Sequence, residues 1–114
     1  MTKIIASLET RQELKEFFAQ NKNRVIILKA SATWCGPCKR IEKDFLEMYK
    51  TICPNAILLL IDIDEADDIA SFLKIRKVPT MLNFVDGRPM DAVASSNLEE
   101  IRDFFQKTKA HLSF

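Results

Sequence analysis

Trp34-Cys35-Gly36-Pro37-Cys38-Lys39 is the stretch on which the reading of the fold turns. Before it lies Val25-Ile-Ile-Leu28, an apolar, β-branched run too short for a buried helix and suited to a strand covered on both faces. After it, Ile41, Phe45, Met48, Tyr49 and Ile52 keep a 3.6-residue period, which predicts a helix that stops before Cys53-Pro54-Asn55. The cysteine pair therefore falls at a strand-to-helix junction, and Cys35 is expected to be exposed at a helix amino terminus. The unpaired N–H groups there carry partial positive charge and favour thiolate over thiol. Two intervening residues, Gly36 and Pro37, put the second thiol one turn along, within reach of a mixed disulfide formed by the first. Cys35 is the expected nucleophile and Cys38 the resolving thiol. A C-x-x-C alone is a weak signal; at a strand-to-helix junction in an α/β pattern it is a strong one.

Working outward, Ile4 to Ala6 reads as a short strand, and Thr10-Arg-Gln-Glu13 as a capping box leading a helix through Leu14, Phe17 and Phe18. Ala56 to Ile63 reads as a second buried strand. Asp64 to Asp68 is expected to cap a third helix with Ile69, Phe72 and Leu73 inside. Thr80 to Val85 reads as a strand, Asp86-Gly87 as a hairpin turn, and Pro89 to Ala94 as the return strand. Ser96-Asn-Leu-Glu99 is the capping-box candidate for a last helix through Ile101, Phe104 and Phe105. The order β-α-β-α-β-α-β-β-α predicts an α/β fold over residues 1–114: one domain with a central mixed sheet of about five strands flanked by four helices on both faces.

Composition narrows the function classes. The 114 residues are 47% hydrophobic and 29% charged, which argues against disorder. Seventeen basic and sixteen acidic side chains leave a net charge of +1, giving no electrostatic case for a nucleic-acid partner. The longest apolar run, Ala56 to Ile61, is far too short to cross a bilayer. The patch in Met1 to Glu9 is too broken for a signal-peptide core, so a cytoplasmic, monomeric protein is the expectation. Zinc would need two ligands beyond the pair, and only Cys53 and His111 remain, in no second paired spacing, so no metal is expected. Cys53 reads as a small buried or half-exposed residue, and His111 as part of a frayed terminus. The acidic run Asp62 to Asp68 lacks the glycine and terminal glutamate of a calcium loop.

Ala32-Thr-Trp-Cys-Gly-Pro-Cys-Lys39 resembles the active-site segment of the thioredoxin family, and the element order resembles that fold along nearly the whole chain. Val78-Pro79-Thr80 resembles the family's second landmark, which implies a cis Val78–Pro79 bond facing the cysteines. The resemblance implies that the Val78 backbone pairs with an extended target strand, that Trp34 covers one side of the groove, and that Gly87 is the hairpin glycine. It further implies disulfide-containing target proteins, no bound cofactor, and recycling of the Cys35–Cys38 disulfide by an external thioredoxin reductase. Two glycines in the whole chain cannot supply a dinucleotide-binding G-x-G-x-x-G.

Four positions depart from that pattern. Lys29 stands where the family usually has a buried aspartate, Leu60 where its lysine partner often lies, Lys43 at the kinking proline of the second helix, and Ser95 at a glycine near the substrate groove. A Lys29 cation about 7 Å from a thiolate, at an effective dielectric near 20, is worth about 2 kcal/mol, which favours the reduced pair. Burial pulls the other way, lowering the lysine pKa towards a neutral base. Alternatively Lys29 snorkels, or pairs with Asp62 on the next strand. Three functions fit these residues: a protein-disulfide reductase, a partner-binding module with a redox switch, and a more oxidising disulfide exchanger.

Overall fold

The structure, a computed structural model, describes residues 2–112. Nine elements follow in the expected order: β1 (Lys3–Ile5), α1 (Arg11–Gln20), β2 (Val25–Ser31), α2 (Gly36–Ile52), β3 (Ile57–Asp62), α3 (Asp67–Phe72), β4 (Thr80–Val85), β5 (Arg88–Val93) and α4 (Leu98–Ala110). The strands form one mixed sheet in the order β1-β3-β2-β4-β5. β2 runs parallel to β3, with Lys29 opposite Leu60, and antiparallel to β4, with Lys29 opposite Met81. β2 is thus the central strand, and it extends three residues past the apolar run read from sequence because Lys29 and Ala30 stay buried inside the ladder.

Each face of the sheet carries its own core. Ile27, Leu58 and Met81 pack under α2 and α4 against Ile41, Phe45, Met48, Ile101, Phe104 and Phe105. Ile26, Leu28, Leu59 and Phe84 pack on the other face against Leu14 and Phe17 of α1 and Ile69 of α3. The odd and even residues of β2 therefore look to opposite helical layers, as the period of two requires. No helix among the described residues is long and apolar enough to cross a membrane.

The Thr10/Glu13 capping box on α1 is present in both directions. Two other caps differ from the sequence reading. No aspartate caps α3: Ala66 is its N-cap without a side-chain bond, while Asp67 and Asp68 lie in its first turn and Asp68 bonds Arg11 across to α1. The cap of α4 is Asn97, whose side chain accepts from the Glu100 amide, one residue later than the Ser96–Glu99 pattern. Ser95 takes the Glu100 carboxylate instead, its hydroxyl donating over 2.6 Å. His111 also departs from expectation. It closes α4, and its Nε2 lies 2.8 Å from Asp91 Oδ2 on β5.

Candidate active site

β2 and β3 end side by side, at Ser31 and Asp62, where the antiparallel β4 begins at Thr80. The loops leaving or entering those three strands meet at one end of the sheet, a common place for a site in an open α/β fold. The loop after β2 turns at once into α2. Cys35 is the N-cap of that helix, in an extended conformation, and its Sγ accepts the Cys38 amide at 3.1 Å. Pro37 lies in the first turn, where a missing N–H is not needed by the helix. Cys35 and Cys38 form a disulfide, with their Cα atoms 5.3 Å apart.

Cys35 lies at the helix start, but its expected exposure is not found: it is 3% exposed, like Cys38. The bridge turns both sulfurs inward onto Ala32, while Ile63 and Val78 pack against the pair from the neighbouring loops. The exposed neighbour is Trp34, at 66%, held by its indole N–H donating to Asp64 Oδ2 at 2.9 Å. A Cβ placed on Gly36 would meet nothing within 4 Å, so open space lies beside the disulfide.

The Val78–Pro79 peptide bond is cis, as the resemblance implied. Thr80 donates its hydroxyl to Lys77 O at 2.6 Å and pins that loop, while the Val78 backbone makes no hydrogen bond among the described residues. Ser95 follows β5 at the same end of the sheet. Its hydroxyl bonds Glu100 and accepts the Asn97 amide at 2.9 Å.

Behind Cys38 opens a cleft of about 360 Å³, lined by Lys29, Cys38, Glu42, Leu60 and Asp62 among others. Lys29 is 5% exposed. It does not pair with Asp62, whose Oδ1 accepts from the backbone of its own loop at Asp64. Its ammonium stands 5.0 Å above the Phe45 ring instead. Burial pulls the Lys29 pKa down, and the Glu42 carboxylate partly restores it. Among the described residues no group of three or more His, Cys, Asp or Glu is placed to hold a metal ion.

Three contributors escape a reading of the sequence: Asp64, which anchors Trp34; Ile63, which packs on the disulfide; and Glu42, which faces Lys29. Asp64 belongs to the run read as a helix cap, Ile63 to the end of the strand read over Ala56 to Ile63, and Glu42 falls off the apolar 3.6-residue stripe of its helix. Only the three-dimensional meeting of loops reveals them.

The thioredoxin family model matches residues 6–107. The chain belongs to the thioredoxin family. A thioredoxin of Coprinus comatus is 32% identical over 111 residues, covering 96% of this chain and all of the relative. A thioredoxin of Geodia cydonium is 30% identical, covering 90% and 96%. Among solved structures, the reduced Schistosoma mansoni thioredoxin pre-protein superposes with a TM-score of 0.81 at 27% identity, covering 93% of this chain and 98% of that one. The Nicotiana alata thioredoxin gives 0.80 at 27%, covering 94% and 93%. Cys35 and Cys38 occupy the C-x-x-C position of this thioredoxin fold, an arrangement consistent with thiol-disulfide exchange.

Proposed function

We propose that this chain is a cytoplasmic protein-disulfide reductase, with Cys35 as nucleophile and Cys38 as resolving thiol. The observation that carries the reading is the disulfide at the start of α2, its leading sulfur accepting a helix N–H and lying against the Val78–Pro79 loop. In the reduced protein the same helix end stabilises a Cys35 thiolate. That thiolate attacks one sulfur of a target disulfide. The target S–S bond breaks, and the leaving sulfur takes a proton from water. Cys38, as thiolate, then attacks Cys35 Sγ, the bond to the target breaks with its electron pair, and the Cys35–Cys38 disulfide is left. Two electrons have passed to the target, and a thioredoxin reductase returns two to the Cys35–Cys38 disulfide. A reducing compartment such as the cytosol suits that cycle.

Targets would approach over Gly36, with the unpaired Val78 backbone adding a short strand pairing and Trp34, Pro79 and Ser95 bordering the groove. Insulin reduction with NADPH and a thioredoxin reductase tests the reading. The intact protein should turn over, Cys35→Ser should fall to background, and Cys38→Ser should accumulate a mixed disulfide with the target. Failure of the intact protein with several reductases would leave a partner-binding module.

A further inference from the structure

Among the described residues, Lys29 is the one buried charge, and the exchange just described does not use it. It belongs to the central strand, on the same side as Ile27, so it looks towards α2. Its cross-strand neighbours are apolar, Leu60 on one side and Met81 on the other. On α2 the inner positions run Cys38, Ile41, Phe45, and the Lys29 ammonium lies at the Phe45 end of that row. It shares the cleft behind the disulfide with Cys38, and no carboxylate comes within ion-pair distance of it among the described residues. A buried cation in that position is incompletely compensated when the sulfurs are bonded to each other and carry no charge. Reduction supplies the missing anion.

We propose that Lys29 is the positioning residue of the resolving step: from beneath α2 its ammonium holds the reduced Cys38 sulfur as a thiolate, ready to displace a target from Cys35. This rests on the exchange reading above and names the group that prepares its second half. No general base is then needed at that step. The Cys38 electron pair forms the bond to Cys35, the Cys35–target bond breaks, and the departing target sulfur collects its proton from water. The other charges facing the cleft are Glu9 ahead of α1, Lys39 and Glu42 on α2, Asp62 at the end of β3 and Glu65 in the turn after it. The four carboxylates are exposed or half-buried, so water screens them, whereas Lys29 acts through protein.

The test is an ultraviolet thiolate titration of reduced protein in a Cys35→Ser, Cys53→Ala background, where Cys38 is the one thiol left of the three in the sequence. Neutral Lys29→Met, or Lys29→Gln should Met disturb folding, is expected to cut the thiolate fraction about tenfold at a given pH, a rise of about one unit in the Cys38 titration. Lys29→Arg should hold it near the parent. In the parent with both active-site cysteines, the potential measured above the thiol pKa should fall by about 30 mV for each tenfold on removing the charge. Linkage requires the reciprocal effect, which needs no substitution at position 29: by NMR the Lys29 amine should titrate higher in the reduced protein than in the oxidised one. Superimposed thiolate curves for a folded neutral variant, or a Lys29 titration indifferent to redox state, overturn the proposal. Neither readout needs turnover, so a protein inactive on insulin but shifted in these titrations sinks the reductase reading and leaves Lys29 standing.

Discussion

Cys53 shows how far one position can differ chemically from two others of the same type. It caps the carboxyl end of α2, fully buried, with its thiol donating to Phe105 O at 3.3 Å. Burial pushes the thiol from 9.0 up to about 11, against a small opposing pull from Lys109. The raised value means that the unfolded chain loses this proton first. The Cys53 contribution is therefore complete below pH 9 and declines between 9 and about 11, by roughly 2–3 kcal/mol in all. Urea unfolding of the oxidised protein should show the advantage of wild type over Cys53→Ala shrinking by that order across this window; a constant difference would contradict it. The sequence leaves Cys53 buried or half-exposed at a helix end before Pro54, and it does not announce Phe105 as the acceptor, because the bond spans 52 residues. Lys29 is legible as an oddity in an apolar strand. Its choice between Cys38, Asp62 and solvent depends on strand direction and register, which a single strand does not carry.

Local patterns served best for the elements where one geometry satisfies every residue. Asp86-Gly87 is such a case. Both have positive φ, 53° and 76°, as a two-residue hairpin turn with the right twist demands. A Cβ on Gly87 would come within 3.4 Å of Phe18 Cβ, and its backbone conformation is unfavourable for any L side chain. Gly87→Ala should destabilise by about 1–2 kcal/mol, seen as a lower urea midpoint with unchanged slope. Insulin turnover should stay intact wherever the variant is folded, because β4 carries this turn to the end of the sheet opposite Pro79. The caps of α3 and α4 were less legible for a definite reason. Asp62 to Asp68 offers five acidic residues to one helix start, and tertiary demands take them: Asp64 for Trp34, Asp68 for Arg11. Ser95, Ser96 and Asn97 compete likewise, and the Ser95–Glu100 bond decides for Asn97.

At the scale of the molecule, alternation of elements implied layers, but not that β2 would lie between β3 and β4; the pairing of strands in the sheet sets that order, and it brings Cys35, Asp64 and Pro79 to one end of the sheet. The far side of the sheet is closed by a polar cluster that no pattern announced. Between Leu82 and Phe84 the β4–β5 ladder shifts register, and buried Asn83 uses the irregularity. It accepts the Asp91 amide at 2.7 Å and donates to Asp91 Oδ2 and to Thr108 Oγ1, while His111 reaches the same Asp91 oxygen. The hairpin is thereby fastened to α4. Burial pushes the Asp91 carboxyl up, but the hydrogen bonds from Asn83 and His111, aided by the charges of His111 and Lys107, outweigh it, and the net shift is downward. A depressed folded value means stability that is present above the unfolded value of 3.8 and lost as pH falls through the folded one. Asp91→Asn should therefore cost about 1–2 kcal/mol at pH 7, the scale of charge-assisted bonds at a partly exposed group. Well below pH 3.8 most of that cost should vanish, since the wild-type carboxyl is then neutral too. Glu13 and Asp68, also held below their ordinary values, lose stability in both proteins and cancel in the difference. Urea unfolding of the pair at neutral and strongly acid pH measures it, and a cost that persists in acid would mean that Asp91 acts by shape alone.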